Sequence, residues 1–337
     1  MKFAKAYRGT RLALALGAVS LCAAGGAVAA QPASSDAQPY PCRVLTLVSP
    51  YPAGGTTDIL SRLLAPKLQA SLGTTVIVDN RGGASSNIGT EFVSRADPDG
   101  CTALLGNNTG VVINRNLYNL RMDPVKTLAP VAKVAAMPLV LYVNPKVPVK
   151  TVPELVELLK KNPGQYNFAS GGSGSPQHLA GELFKLAANV DMTHIPYKGQ
   201  GPALMDVVAG QVQVAFETTA ALQPQAEAAR VVPLASTGSS RSEAFPTIPT
   251  MAEIGFADLT LTNWYGFFVP TGVAPDRMQR LQSALSDALN APDIKTRLAQ
   301  LGSEDVSGGS AETFQRFIDK EVPLWEGVVK RSGAKVD

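Results

Sequence analysis

The feature that most constrains the fold is a repeated alternation of short apolar runs and amphipathic helical segments joined by glycine-containing loops. Residues 44–48 form an apolar run, residues 49–55 a turn rich in proline and glycine, and residues 56–72 a segment with leucine and isoleucine on one helical face. The same order recurs over residues 75–96 and 166–217. Alternating strands and helices build right-handed βαβ units. We therefore predict an α/β fold of mostly parallel sheets flanked by helices.

The predicted elements fall into two successive sets, which we interpret as two lobes. Predicted strands span residues 44–48, 75–80, 101–105, 166–169, 192–196, 212–217 and 231–236, with an aromatic strand-like stretch from Thr262. Predicted helices span residues 56–72, 87–96, 177–188, 201–209, 275–289 and 311–329, and one more ends at Lys161 after a capping box at Thr151 and Glu154. We assign residues 41–142 plus 263–337 to lobe 1 and residues 143–262 to lobe 2, with hinges near Leu141 and Trp264.

The first 29 residues have the features of a cleavable export signal. Basic side chains cluster between Lys2 and Arg11, an apolar stretch follows at residues 12–21, and residues 27–29 read Ala-Val-Ala. Small residues in this pattern are what signal peptidase accepts. The alternative is a membrane anchor, since residues 12–30 are almost long enough to span a bilayer. We expect residues 1–29 to be a removed signal peptide and residues 30–40 to be a linker before an exported mature chain.

The charge balance argues against a nucleic-acid partner. The sequence has 30 Lys and Arg side chains against 27 Asp and Glu. Four of the basic residues lie in the export segment, which leaves 26 basic against 27 acidic side chains. A nearly neutral mature chain lacks the basic surface that a phosphate backbone requires. We expect no nucleic acid among the partners.

Two cysteines, Cys42 and Cys101, remain once the export segment is set aside. Exported proteins meet an oxidising compartment, where paired cysteines form disulfides. An even number without a CxxC motif or a histidine cluster favours one structural disulfide over a redox or metal site. The alternative is a pair of free buried thiols. We predict a disulfide between Cys42 and Cys101.

Enzymatic chemistry lacks most of the residues that it would need. The two histidines, His178 and His194, are too few for a multi-histidine zinc site. The glycine-rich residues 171–175 do not complete a nucleophile elbow or a dinucleotide fingerprint, and no glycine loop continues into the Gly-Lys-Ser/Thr of a P-loop. We therefore expect no metal, no cofactor and no catalytic residue. A serine hydrolase that uses Ser173 with His178 stays open as an alternative.

Three glycine loops lie at equivalent places, at residues 53–55, 82–84 and 171–174, each between a predicted strand and the helix that follows. Backbone N–H groups and the positive end of a helix attract an anion there, and ligands of open α/β sheets bind beyond the carboxyl ends of the strands. The loops also carry hydroxyl and amide side chains: Thr56, Thr57, Asn80, Asn87, Ser170, Ser173 and Ser175. This pattern predicts a cleft for a small anion. Asp58 could belong to that cleft or simply cap its helix.

Ordered motifs in the chain resemble the substrate-binding proteins of tripartite tricarboxylate transporters, also called the Bug family. Residues 51–58 (YPAGGTTD) resemble its AGGxxD loop, and residues 80–89 (NRGGASSNIG) resemble its NRPGAGGNIG segment. Residues 98–100 are similar to its PDG turn, residues 172–178 to its GxGSxxH motif and residues 197–199 to its YKG motif. The matches keep their order from Tyr40 to the C-terminus.

The resemblance implies a type II periplasmic-binding-protein fold, with a ligand cleft between two lobes. It implies a monomeric periplasmic receptor, not an enzyme, that captures a small organic carboxylate and delivers it to the membrane permease of a tripartite tricarboxylate transporter. A sensor whose closed form contacts a signalling receptor is the alternative. The resemblance and the loop pattern together give the expected ligand-binding residues: Tyr51, Ala53, Gly54, Thr57, Asp58, Asn80, Gly83, Ala84, Asn87, Ser170, Gly172, Ser173, Ser175, His178, Tyr197 and Glu217.

Several positions depart from the family pattern in this resemblance, among them residues 107–109 (NNT), which differ from the commoner segment. Gly82 replaces the usual proline, Ser85 and Ser86 replace glycines, and Glu217 stands where aspartate is common. In the family, backbone groups and ordered waters hold the ligand carboxylate, so these changes bear on the identity of the ligand more than on the fold.

Overall fold

The computed structural model describes residues 40–304 and 309–334. The predicted signal peptide at residues 1–29 and most of the linker lie outside the described residues. The strands are β1 (Val44–Ser49), β2 (Thr75–Asn80), β3 (Thr102–Asn107), β4 (Leu128–Val143), β5 (Asn167–Ser170), β6 (Thr193–Pro196), β7 (Val214–Thr218), β8 (Val232–Ser236) and β9 (Thr262–Pro270). The α-helices are α1 (Thr56–Leu72), α2 (Asn87–Ser94), α3 (Pro124–Thr127), α4 (Val152–Lys161), α5 (Pro176–Ala188), α6 (Gln200–Ala209), α7 (Thr219–Glu227), α8 (Pro275–Asn290), α9 (Pro292–Gln300) and α10 (Ala311–Ser332).

The strands form one continuous array in the order β2-β1-β3-β9-β4-β7-β5-β6, with β8 also paired to β4. Pairs β1–β2, β1–β3, β5–β6 and β5–β7 are parallel, whereas all pairs of β4 and β9 are antiparallel. The predicted α/β class is confirmed, and the sheet is mixed because the two longest strands run against their neighbours.

The long strand β4 belongs to two parts of this array. Its residues 128–138 pair with β9, and its residues 139–143 pair with β7 and β8. We call β1, β2, β3, β9 and residues 128–138 the first half-sheet, and β5 to β8 with residues 139–143 the second half-sheet. The predicted lobe boundaries stay a prediction.

The apolar core runs beneath both half-sheets. Val48 and Trp264 of the first half-sheet belong to the same buried cluster as Leu141 and Phe168 of the second. Helix α10 also contributes to this cluster, through Phe314, and it packs against both β4 and α5. Both half-sheets therefore share one buried apolar cluster beneath the loops that follow their parallel strands.

The predicted disulfide between Cys42 and Cys101 is present, with the two Cα atoms 5.8 Å apart. Strands β1 and β3 are parallel neighbours, and the backbone N–H of Thr46 donates to the carbonyl of Cys101 over 2.8 Å. Because neighbouring strands bring their starts together, the two cysteines meet without distortion of the sheet.

Within the described part of the chain, no helix combines the length and the hydropathy that a bilayer crossing needs.

Candidate functional site

A cavity of about 740 Å³ lies among the loops that follow four parallel strands. These are the strands β1, β2, β5 and β6, so both half-sheets contribute. The lining residues are Tyr51, Pro52, Asn80, Gly82, Gly83, Ala84, Ser85, Ser86, Tyr118, Gly171, Gly172, Ser173, Pro196, Tyr197, Lys198 and Gly199. The cavity thus occupies the place where α/β sheets bind ligands, beyond the carboxyl ends of their strands.

The loop after β1 is shaped by a buried carboxylate. Asp58 in the first turn of α1 accepts a hydrogen bond from the backbone N–H of Gly54 over 2.9 Å and pairs with Arg62 over 3.0 Å. Burial raises the pKa of Asp58, but the bonds from Gly54 and Arg62 outweigh it, and the net pKa lies below its usual value. Gly54 adopts φ +85°, a conformation that other residues rarely take. Asp58 therefore holds the glycine turn beside the cavity.

The loop after β2 has an unusual backbone. Gly83, Ala84, Ser85 and Ser86 all have positive φ angles, of 128°, 45°, 49° and 76°. For the last three this costs about 1–2 kcal/mol each, because their Cβ atoms crowd the backbone in this conformation. In the described part of the chain, the backbone N–H groups of Ala84, Ser85 and Ser86 donate to no acceptor. The strained turn thus keeps three donors uncommitted in residues that line the cavity.

Two stacked histidines hold the loop after β5 in place through hydrogen bonds. The rings of His178 and His194 lie parallel, with centroids 3.9 Å apart. Nδ1 of His178 accepts from the backbone N–H of Gly174 over 3.0 Å, and Nε2 of His194 lies 2.7 Å from Oγ of Ser170. Ser175 caps α5, since its side chain accepts from the backbone N–H of His178.

Both histidines are neutral at ordinary pH. Burial, helped by the charge of Lys185, lowers the pKa of His178 to about 4. Burial and then the neighbouring His178 lower the pKa of His194 to about 3. A neutral ring is what allows Nδ1 of His178 to accept the bond from Gly174. Among the described residues, Ser173 Oγ makes no hydrogen bond to His178, so the geometry gives no support to a Ser173–His178 dyad.

The loop after β6 contributes the aromatic ring of Tyr197 and the cationic side chain of Lys198 to the cavity lining. Tyr197 donates its hydroxyl to Asp206 over 2.7 Å, and burial together with that carboxylate raises the pKa of Tyr197 to about 12. Lys198 is exposed, and of the described residues that line the cavity it alone has a charged side chain. None of the described lining residues is an aspartate or glutamate, so this lining offers hydrogen-bond donors and one positive charge.

A buried polar layer connects the two half-sheets. Asn107 donates to the hydroxyl of Tyr51 over 3.4 Å, and the hydroxyls of Thr56 and Thr218 lie 3.2 Å apart. Next to them, Glu217 is 2% exposed and accepts from the backbone N–H of Thr218 over 2.7 Å. Burial raises the pKa of Glu217 to about 7, although its hydrogen bonds oppose the rise.

The structure gathers part of the predicted site around the cavity. The predicted residues that line it are Tyr51, Asn80, Gly83, Ala84, Gly172, Ser173 and Tyr197. The others lie in or behind the lining loops: Ala53, Gly54, Thr57, Asp58, Asn87, Ser170, Ser175, His178 and Glu217. Contact of either group with a ligand stays a prediction.

Several lining residues were missing from the predicted set. Pro52, Ser85 and Lys198 are neighbours of predicted residues in the same loops, so their position along the sequence could have indicated them. Tyr118 could not be found in this way, because it lies between β3 and β4, far from any glycine loop. Only the folded chain brings it to the cavity.

Two α/β half-sheets whose strand-end loops enclose one donor-rich cavity define a solute-binding protein. The sequence profile of the "Tripartite tricarboxylate transporter family receptor" matches residues 60–334. The chain belongs to this family of receptors.

Individual relatives are similar to this chain in sequence and structure over most of its length. Protein BugT of Bordetella pertussis is 35% identical over 309 residues, which cover 91% of this chain and 94% of that protein. The structure of the periplasmic binding protein BugD superposes with a TM-score of 0.83 at 33% identity, over 88% of this chain and 99% of that one. The structure of R. palustris Rpa4515 with adipate has a TM-score of 0.84 at 33% identity, over 88% of this chain and 99% of that one.

Proposed function

We propose that this chain is a periplasmic receptor that binds a small organic carboxylate in the cavity and delivers it to the permease of a tripartite tricarboxylate transporter. The observation that carries the proposal is the set of uncommitted amide groups of Ala84, Ser85 and Ser86, three residues of a cavity whose described lining contains no carboxylate. Backbone N–H groups that converge at a helix start bind anionic oxygens well. The adipate-bound relative Rpa4515 supports the choice of a carboxylate over other anions.

The cavity supports binding without turnover. A hydrolase would need a nucleophile activated by a base, whereas His178 holds the Gly174 amide and Ser170 is enclosed by the Gly172 backbone and His194. The ligand would instead be enclosed between the loops of the two half-sheets. Closure around a ligand presents a new surface, which a membrane permease can recognise.

The organisation of the exported protein belongs to the same proposal. Residues 1–29 would direct export and be removed, and the mature chain would act as a monomer. Residues 41–142 plus 263–337 would move as one lobe and residues 143–262 as the other. The strands β4 and β9 pass between these parts, so the hinges would lie on them, near Leu141 and Trp264.

Thermal unfolding in the presence of a carboxylate library tests the proposed function. The library should contain adipate, other dicarboxylates, tricarboxylates, amino acids and aromatic acids. A ligand at 100 times its Kd raises the free energy of unfolding by about 2.7 kcal/mol, which is a clear upward shift in Tm. An unchanged Tm with every acid would contradict the proposal.

A matched variant assigns the shift to the cavity. A Cβ at Gly172 would lie 2.9 Å from Oγ of Ser85 and 3.2 Å from the carbonyl oxygen of Tyr197, at φ +129°. Gly172→Ala should therefore abolish or sharply reduce the ligand-induced shift. Gly73→Ala is the control, because Gly73 also has positive φ, has open space around its Cβ position and ends α1 away from the cavity. It should lower Tm by itself and keep the ligand-induced shift.

A further inference from the structure

The peptide group between Ser173 and Gly174 makes hydrogen bonds with side chains of both half-sheets. Its carbonyl oxygen accepts from Oγ of Ser85 over 2.7 Å and from the hydroxyl of Tyr118 over 3.0 Å. The same two hydroxyls lie 3.3 Å from each other. Ser85 and Tyr118 come from loops of the first half-sheet, whereas Ser173 follows β5 of the second. These bonds therefore cross the cleft.

The far side of this peptide group is anchored inside the second half-sheet. The N–H of Gly174 donates to Nδ1 of His178, whose ring stacks on His194, and His194 in turn contacts Ser170 at the end of β5. A peptide whose N–H is already donated has a more polarised carbonyl, which strengthens the bonds that this carbonyl accepts. The carbonyl of Ser173 is thus a fixed acceptor for the two hydroxyls opposite.

The backbone around Ser85 is built for this contact. Ser85 has φ +49°, which is unfavourable for a residue with a Cβ, and it stands where the resembling segment has glycine. Glycine would adopt the turn without strain but would offer no hydroxyl. On the opposite side, a Cβ at Gly172 would lie 2.9 Å from Oγ of Ser85, so a larger residue there would displace the Ser85 hydroxyl. The positive φ angle of Ser85 and the absence of a side chain at Gly172 allow the two loops to approach closely.

We propose that Ser85 and Tyr118 form a clasp on the Ser173 carbonyl that holds the cleft closed and slows the exit of a bound ligand. Both hydrogen bonds of the clasp join atoms of the chain itself, so the clasp favours the closed cleft in the ligand-free protein as well. The effect on ligand exit rests on the proposed function, whereas the effect on closure does not. Both residues are positioning residues for binding.

The distance between the two half-sheets in ligand-free protein tests the clasp. Spin labels at Ala70→Cys on α1 and Lys160→Cys on α4 occupy exposed positions on opposite sides of the cleft. In protein that lacks residues 1–29, the two remaining native cysteines form the disulfide and do not react with the label. Pulsed electron resonance then gives the populations of short and long distances. Loss of one hydrogen bond should lower the closed-to-open ratio about threefold to tenfold in Ser85→Ala and in Tyr118→Phe.

Two control variants each remove a hydroxyl, one from a serine and one from a tyrosine, at positions outside the clasp. Ser94→Ala removes a buried hydroxyl without a hydrogen-bond partner at the end of α2, and Tyr166→Phe removes a phenol hydroxyl outside the cavity. Both should keep the wild-type distance distribution. An unchanged distribution in Ser85→Ala, in Tyr118→Phe and in the double variant would overturn the clasp. A wild-type protein that shows only the longer distance would overturn it as well.

Dissociation of adipate, measured by stopped flow, is the second readout. The clasp predicts that each variant releases adipate about threefold to tenfold faster, and that association also becomes faster because the ligand enters through the open cleft. A direct bond from these hydroxyls to the acid would instead leave the ligand-free distances unchanged, which counts against the clasp. If adipate does not bind at all, the distances of the ligand-free protein still decide between the presence and the absence of the clasp.

Discussion

Replacing Glu217 by glutamine should make the protein more stable at neutral and alkaline pH. Glu217 is 2% exposed, and burial raises its pKa from 4.5 to about 7. Below pH 4.5 the carboxyl is protonated in both the folded and the unfolded chain. Between pH 4.5 and about 7 the unfolded chain releases the proton while the folded chain retains it. Stability is therefore lost as the pH rises through this window and is constant above it.

The size of the effect follows from the width of the window. Each pH unit within it costs about 1.4 kcal/mol, so the total loss is on the order of 3 kcal/mol. Glutamine has the shape of the protonated acid, and its carbonyl oxygen can accept the bond that Thr218 donates to Glu217. Glu217→Gln should thus match the wild type near pH 4 and exceed it by about 3 kcal/mol at pH 8.

Urea unfolding followed by tryptophan fluorescence at several pH values between 4 and 8 measures this difference. The control is Glu157→Gln on α4, which makes the same chemical change in a side chain that is 75% exposed. A stability difference for Glu217→Gln that is the same at pH 4 and pH 8 would refute the reasoning, because an uncharged and a charged Glu217 would then be equally tolerated in the folded protein.

Three further changes test the loop, the disulfide and the attachment of α10. Ala84→Gly removes a Cβ at φ +45° and should stabilise the protein by about 0.5–1 kcal/mol in urea unfolding; an unchanged or lowered stability would contradict strain in this turn. Cys42→Ser with Cys101→Ser should cost about 2–4 kcal/mol, and two titratable thiols in the unreduced wild type would contradict the disulfide. Glu321 accepts from the indole N–H groups of both tryptophans over 2.7 Å. Glu321→Ala should cost about 2–4 kcal/mol and alter tryptophan emission; an unchanged emission spectrum would show that these bonds are absent in solution.

Local patterns in the sequence were enough to predict most strands and helices of the α/β units. The predicted helix at 56–72 and strand at 75–80 coincide with α1 and β2, because periodicity and flanking glycines mark both ends. The first half of β4 and the whole of α7 were missed. β4 contains two prolines and pairs with β9 more than a hundred residues away, and α7 has a proline and few apolar side chains. Tertiary pairing decides such segments, and a local pattern does not contain it.

The candidate site was predictable as a set of loops but not as a set of contacts. Glycine turns between strands and helices are local features, so the loops of Gly83 and Gly172 could be placed at the cavity beforehand. Which side chains face a ligand depends on bonds made across the fold. His178 is engaged by the Gly174 amide, and Tyr118 reaches the cavity from a segment without a motif. Neither fact follows from the spacing of residues along the chain.

Calorimetric titration of the mature protein with the acids that raise its Tm tests the central claim most directly. The account predicts saturable binding of one carboxylate per chain, with the acid recovered unchanged, and binding weakened at least about tenfold in Gly172→Ala. Tenfold corresponds to about 1.4 kcal/mol, which is a modest loss for a Cβ placed 2.9 Å from Ser85 Oγ in the closed cleft. Conversion of the acid to a product, or equal affinity in the wild type and Gly172→Ala, would contradict a carboxylate receptor with its site in this cavity.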